Sequence, residues 1–161
     1  MKLKGDLWMR IVIMSDSHGA VGTLLDIIER HRDNTDLFIF LGDVDNDFDE
    51  VLMAYPDIKY RRVAGNNDRY SSHMTSDLIN LNGKKIFFTH GHIFHVKHGN
   101  EEIIEYCRKI GADICLYGHT HKQFTNYDNG LYIMNPGTAF TGAYGVIDLV
   151  DNGIALIANK I

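Results

Sequence analysis

The chain of 161 residues contains 45% hydrophobic and 23% charged residues, an ordinary globular composition that excludes a disordered or fibrous protein. Its net charge of −5 argues against nonspecific binding to nucleic acid, because that binding needs clustered Lys and Arg to displace counterions. No apolar run approaches the roughly 20 residues that cross a bilayer. From the charge we therefore expect no nucleic-acid polymer as a partner, and from the apolar runs no membrane.

The length predicts a single domain over residues 1–161. Residues 1–9 precede the first strand pattern, and Met9 offers an alternative start, so we interpret them as a candidate N-terminal extension. Cys107 and Cys115 are too few for a disulfide framework and form no CxxC pair. We therefore expect both cysteines to lie in the core. Free cysteines also fit a reducing compartment, so we expect a cytoplasmic protein.

The first half of the chain alternates strand and helix patterns. Apolar runs predict buried strands at 10–14 and 37–41, and helical spacing predicts a helix over 21–28 between them. A helix near 48–54 and a strand at 59–64 continue the alternation. This order predicts a βαβ arrangement in which the sheet lies between helices.

The second half is rich in hairpin signatures. Asn82-Gly83 predicts a type I′ turn between strands at 77–81 and 84–89. A helix over 101–110, with Asn100 as its candidate N-cap, precedes a strand at 113–117. Two further hairpins have turns that end in Asn-Gly: 122–127 with 131–134, and 143–150 with 154–158.

Five short polar motifs each follow directly on a predicted strand. They are Asp16-Ser17-His18, Gly42-Asp43, Gly65-Asn66-Asn67-Asp68, Thr89-His90-Gly91-His92 and Gly118-His119-Thr120-His121. The loops at the carboxyl ends of parallel strands converge on one crevice, so we expect these motifs to lie together. Turn chemistry explains the glycines, but it does not explain why side chains able to bind metal occupy successive strand ends. The donors include no thiolate, which favours a catalytic site for Mn, Fe, Ni or Zn over a closed structural zinc site.

In this order, the motifs DSHG, GD, GNND, THGH and GHTH make the chain resemble the calcineurin-like metallophosphoesterases. Within that superfamily it is most similar to the small YfcE-like phosphodiesterases, a likeness that includes Asn135-Pro136-Gly137. The resemblance implies an α/β fold arranged as a four-layer α/β/β/α sandwich. It also implies a phosphodiesterase whose metal-bridging hydroxide attacks the phosphorus atom of a small phosphoester substrate.

The same resemblance implies two divalent metal ions, with Mn²⁺ expected and Ni²⁺, Fe²⁺ or Zn²⁺ as alternatives. Asp43 would bridge them. The first metal would be held by Asp16, His18, Asp43 and His121, and the second by Asp43, Asn66, His90 and His119. Catalytic roles would fall to Asp43, Asn66, His90 and His92.

One position departs from the superfamily pattern. Asn67 stands where many members have a histidine that assists the leaving group, and an amide cannot act as a general acid. The YfcE-like subgroup commonly lacks this histidine too, so the departure favours the narrower assignment. The proton donor stays open, with His73, His92 and Asp68 as candidates.

Other side chains are expected to be structural. His31, near a helix C-terminus, is predicted to interact with the helix dipole, and His95 and His98 are predicted to lie in surface loops. Four phenylalanines in strand patterns are predicted to lie in the core: Phe38, Phe40, Phe87 and Phe88.

Two other functions remain alternatives. The resemblance includes a retromer subunit that uses this fold as a noncatalytic protein-binding scaffold, although all expected ligand positions here carry competent side chains. A phosphomonoesterase or nucleotide phosphatase would need more cations than Arg69, Lys97 and Lys122, the basic residues close to the motifs in sequence. The scarcity of basic residues near the motifs favours phosphodiesters over phosphomonoesters as substrates. The sequence leaves a homo-oligomer open.

Overall fold

The alternating patterns of the sequence form three helices and ten strands in the computed structural model, which describes residues 8–161. Along the chain the elements are β1 (Met9–Met14), α1 (Val21–His31), β2 (Leu37–Phe40), α2 (Asp45–Ala54), β3 (Tyr60–Arg62), β4 (Ser76–Leu81), β5 (Lys84–Thr89), α3 (Glu101–Lys109), β6 (Ile114–Tyr117), β7 (Gln123–Asp128), β8 (Leu131–Pro136), β9 (Ala143–Val150) and β10 (Gly153–Lys160).

The strands form two mixed five-stranded sheets. The first has the order β10-β9-β1-β2-β3, with β1, β2 and β3 parallel to one another. The second has the order β4-β5-β6-β8-β7, with β5, β6 and β8 parallel. The parallel strands of each sheet therefore have their carboxyl ends along the same edge of that sheet, where their polar continuations can meet.

Three apolar clusters explain the layering. One lies between the sheets and includes Ile13, Ile39 and Phe88. A second packs α1 and α2 on the outer face of the first sheet, where the rings of Phe40 and Phe48 stack 5.1 Å apart. A third packs α3 on the second sheet. Its buried members include Phe87, Ile103, Cys107 and Cys115. This α/β/β/α sandwich confirms the fold predicted from the resemblance.

The predicted elements are present, and their ends differ by a few residues. α1 extends to His31, α2 begins at Asp45, and β3 covers only Tyr60–Arg62. Three short 3₁₀ turns were not predicted, because three residues are too few to show a period: His92–Phe94, Val96–His98 and Ala139–Thr141. The four strand phenylalanines are buried, as predicted.

Two residues lie at the helix positions predicted for them and differ from expectation in their contacts. Asn100 is the N-cap residue of α3, but its side chain forms no capping hydrogen bond and instead donates to the Tyr117 hydroxyl at 3.4 Å. His31 is buried, with Nε2 2.9 Å from the hydroxyl of Tyr144, and burial lowers its pKa. A neutral imidazole gains little from a helix dipole, so packing determines its position. His95 and His98 are exposed, as predicted.

The start of the chain is described only from Trp8 onward. Met9 opens β1 and pairs with Leu149 of β9, so it is part of the first sheet. The predicted extension lies, apart from Trp8 and Met9, outside the described residues. Among residues 8–161, no helix combines the length and apolar character needed to cross a membrane.

Candidate metal centre

The polar motifs meet at the carboxyl edge of the two sheets. The loop after β1 is tied to the loop after β2, because Asp16 N–H donates to the Gly42 carbonyl at 2.9 Å and Ser17 N–H to the Asp43 carbonyl at 2.7 Å. Gly118, after β6, lies against the β1 loop, and a Cβ there would collide with the side chains of Ser15 and Asp16. A glycine at this position therefore allows the loops of the two sheets to approach.

One group of candidate ligands consists of Asp16, His18 and His121, whose donor atoms all lie within 4.8 Å of one another. His121 Nε2 is 3.2 Å from Asp16 Oδ1 and 3.3 Å from His18 Nε2. Asp16 Oδ1 is buried and has no hydrogen-bond partner among the described residues. Its other oxygen accepts bonds from the Ser15 hydroxyl and the His119 N–H. A cation bound by these three side chains would give Asp16 Oδ1 the polar partner that it lacks.

The second group consists of Asp43, His90 and His119. His90 Nε2 is 3.5 Å from Asp43 Oδ2 and 3.1 Å from His119 Nδ1. His90 Nδ1 lies 2.8 Å from the Leu41 carbonyl and donates its proton there, which leaves the lone pair on Nε2. Asp43 Oδ2 is also 3.8 Å from His18 Nε2. The Asp43 carboxylate therefore lies between the two groups, as a bridging ligand must.

Burial governs the protonation of these groups. It raises the pKa of Asp16 to about 7, although hydrogen bonds from Ser15 and His119 lower it. Burial also lowers the pKa of His90 to about 4 and that of His119 below its usual value. His90 and His119 are thus held in the neutral form that binds metals, and the donor types of the two groups fit divalent cations.

Two aspartates anchor the loops that carry the candidate ligands. Asp68 accepts three backbone N–H bonds, from Asp43 at 2.9 Å, Gly65 at 2.7 Å and Asp45 at 2.7 Å. Asp47, in α2, accepts bonds from the Ser17 hydroxyl and the Gly19 N–H, each at 2.7 Å. Asp68 is therefore a structural acceptor and not a proton donor. Sequence reasoning missed Asp47, since its position in a helix carries no motif.

The two asparagines of the GNND motif differ in their contacts. Asn67 donates its N–H to Asp43 Oδ1 at 3.0 Å and its side-chain amide to Asp43 Oδ2 at 2.7 Å. Asn66 is exposed, and its side chain forms no hydrogen bond within the described part of the chain. The contact with Asp43 is thus made by the neighbour of the predicted ligand, and the metal-binding role of Asn66 stays a prediction.

The two histidine candidates for proton donation lie in different places. His92 is at the centre, with its ring 5.5 Å from that of His90 and 6.2 Å from that of His119. His73 lies further out, with Nδ1 2.7 Å from Asp45 Oδ2 and Nε2 accepting a bond from Arg62 at 3.0 Å. Both ring nitrogens of His73 are therefore engaged, and it has no proton to give to a substrate.

Comparison with known families gives a match over most of the chain. The model of the calcineurin-like phosphoesterase superfamily domain matches residues 9–148. A probable metallophosphoesterase of Bacillus subtilis is 31% identical over 131 residues, covering 81% of this chain and 75% of its own. A phosphodiesterase of Methanocaldococcus jannaschii is 28% identical over 147 residues, covering 80% of this chain and 83% of its own.

Solved structures share the fold. A predicted phosphoesterase of Streptococcus pneumoniae superposes with a TM-score of 0.80 at 23% identity, covering 95% of this chain and 90% of that one. A variant of Vps29 from Entamoeba histolytica gives a TM-score of 0.74 at 19% identity, covering 95% of this chain and 99% of that one. At these identities the likeness concerns the fold alone.

Proposed function

Because this chain belongs to the calcineurin-like phosphoesterase superfamily, we propose that it hydrolyses phosphodiester bonds with the help of two divalent metal ions. The observation that carries this proposal is the position of the Asp43 carboxylate between two groups of candidate ligands. Two-metal sites suit phosphoester hydrolysis because both the attacking and the leaving oxygen need charge stabilisation.

In this proposal each group of ligands binds one metal, and Asp43 is shared. Asp16, His18 and His121 complete the first site, and His90, His119 and Asn66 complete the second. The donor set of carboxylate, imidazole and amide supports Mn²⁺, with Ni²⁺, Fe²⁺ and Zn²⁺ as alternatives. The bound cations would supply an activated water by lowering its pKa, and they would neutralise the phosphoryl oxygens.

The protein's own groups orient these ligands. His90 donates its Nδ1 proton to the Leu41 carbonyl, so its Nε2 would be the atom that binds a metal. Asn67 and Asp68 fix the rotamer and the backbone of Asp43. We assign His92 to binding a phosphoryl oxygen, because its ring lies beside His90 and His119.

We assign diesters as the preferred substrates. A monoester carries more negative charge at neutral pH and needs additional cationic partners. Arg69, Lys97 and Lys122 are the basic side chains near the motifs in sequence, and the related phosphodiesterase of Methanocaldococcus jannaschii is consistent with this preference. The substrate is then a small phosphodiester, acted on in the cytoplasm.

The test compares bis-para-nitrophenyl phosphate with para-nitrophenyl phosphate on protein that has been stripped by a chelator and reloaded with Mn²⁺. We expect hydrolysis that requires the metal and is faster for the diester. Measured metal content should approach two equivalents per chain. Faster turnover of the monoester would reassign the chain as a phosphomonoesterase, and one metal per chain would contradict the two-metal site.

A noncatalytic protein-binding scaffold is the second candidate, favoured by the structural likeness to Vps29. Such a protein would contain almost no metal after mild purification and would show no activity with added Mn²⁺. The candidate ligand positions carry side chains that can bind metal, which favours an enzyme over a noncatalytic scaffold. A partner-binding surface and homo-oligomer formation are compatible with either function.

A further inference from the structure

The two sheets meet closely at one side of the sandwich and separate at the other. At the closed side, the Gln123 side chain of β7 donates to the Asn159 carbonyl of β10 at 2.7 Å and to the Tyr144 carbonyl at 3.3 Å. At the opposite side, the edge strands β3 and β4 border a cleft of about 860 Å³. This volume lies within the range of small-molecule sites. Among residues 8–161, the lining includes none of the candidate metal ligands.

The apolar lining of the cleft is an exposed margin of the intersheet core. Leu37 is a buried member of that core cluster, and Met9, Ile79 and Leu81 pack against it while remaining partly exposed. The cleft therefore offers apolar surface from both sheets. A ligand with an apolar body would remove this surface from water, which is favourable at roughly 25 cal/mol per Å².

Two cations at the cleft lack counter-ions. Lys59 and Arg61 line it, are exposed, and form no ion pair with any described residue. Side chains alternate along a strand, so both lie on the same side of β3 as Val63, which belongs to the intersheet core.

Two further charged side chains line the cleft, and both have partners within the protein. Arg62 points to the other side of β3, where it pairs with Asp45 at 3.3 Å and Asp49 at 2.7 Å. Asp36 also lines the cleft and keeps its negative charge there, although one of its oxygens accepts a bond from the Arg10 N–H at 2.8 Å. In a chain of net charge −5, the two cations Lys59 and Arg61 outnumber the single carboxylate of Asp36 in the lining, so the cleft has a local excess of positive charge next to apolar surface.

The geometry points to a second binding site in this cleft, for a small anion with an apolar body such as a medium-chain alkyl carboxylate, sulfonate or phosphate. Lys59 and Arg61 would bind the anionic group, and Met9, Ile79 and Leu81 would contact the apolar chain. The site is separate from the metal centre and does not depend on the proposed hydrolysis.

The test uses decane-1-sulfonate, below its micellar concentration, with the Zn²⁺-loaded full chain. Amide NMR shifts should change in β3 and β4 and not in the loops that carry His90 and His119. Titration calorimetry should show that Arg61→Gln weakens binding about tenfold, as expected for a charge-assisted contact. Arg30→Gln, which removes an exposed cation from α1, should leave the affinity unchanged.

Three outcomes would overturn this assignment. Equal binding of decyltrimethylammonium would show that the charge of the ligand is irrelevant. Shifts confined to the metal-centre loops would place the sulfonate on the metals. Binding of decane-1-sulfonate only after deletion of residues 1–7, and not to the full chain, would identify the chain's own N-terminal segment as the occupant of the cleft. Thermal unfolding of Arg61→Gln checks that the variant is folded.

Discussion

Asn67 contacts both carboxylate oxygens of Asp43, through its backbone N–H at 3.0 Å and its side-chain amide at 2.7 Å. Both bonds run from asparagine to aspartate, so Asn67 orients the carboxylate between the two candidate metal sites. The amide has no acidic proton to give to a departing alkoxide. Asn67 is therefore a positioning residue, and the chain lacks a general acid at this place in the motif.

The first prediction concerns the leaving group. General acid catalysis typically contributes about 10²- to 10⁴-fold, so without it the rate should fall steeply as the leaving-group pKa rises. The measurement is kcat for a series of aryl phosphodiesters with substituted phenols, under conditions in which the chemical step limits the rate. A flat dependence would show that some group donates a proton.

The second prediction is that Asp43→Asn lowers kcat on the order of 10³-fold and reduces the bound metal below two equivalents, because one carboxylate positions both ions. His119→Ala should be almost as damaging. Asp26→Asn, an exposed aspartate in α1, is the matched control and should behave as wild type. Wild-type turnover in Asp43→Asn would refute the shared-ligand arrangement.

The third prediction separates the two histidines outside the ligand groups. His92→Ala should lower turnover of all diesters by about 10- to 100-fold, the effect of losing one hydrogen bond to a charged oxygen. His73→Ala should leave the leaving-group dependence unchanged and lower the thermal midpoint, because its ring joins Asp45 to Arg62. If His92→Ala lost activity selectively on poor leaving groups, His92 would be the missing acid.

The fourth prediction concerns Asp68, which accepts the N–H groups of Asp43, Gly65 and Asp45. Asp68→Asn replaces one acceptor oxygen by a donor and should cost about 1–3 kcal/mol in the free energy of unfolding. Urea unfolding of the metal-free protein, with Asp26→Asn as the control, gives this value. Equal unfolding midpoints for both variants would show that these bonds contribute nothing to stability.

The fifth prediction is a pH dependence of stability at His31. Burial lowers its pKa, with additional effects from the positive charges of Arg10 and Arg30. The unfolded chain therefore binds more protons below about pH 6.5, so this contribution to stability is present above that pH and is lost as the pH falls. His31→Gln should remove that part of the slope. If the free energies of unfolding of the wild type and of His31→Gln changed in parallel between about pH 5 and 8, the attribution of this slope to His31 would be contradicted.

The convergence of the motifs could be predicted because each one follows a buried strand in the sequence. Asp16, Asp43 and His90 each come directly after an apolar run, and the ends of parallel strands share an edge. The contact between Asn67 and Asp43 could not be predicted, because the loop conformation decides which asparagine points inward. That conformation depends on Asp68, whose bonds reach residues more than 20 positions away.

The sequence by itself determined the order of the elements, their apolar faces and the set of donors at the strand ends, because these depend on local periodicity and residue chemistry. Only the tertiary structure decided which distant side chains meet. Asp47 reaches the loop of Ser17, and Tyr144 reaches His31. Likewise, Lys59 and Arg61 lie beside an apolar opening only because β3 and β4 belong to different sheets, whose separation at that edge is set by the packing of the whole sandwich.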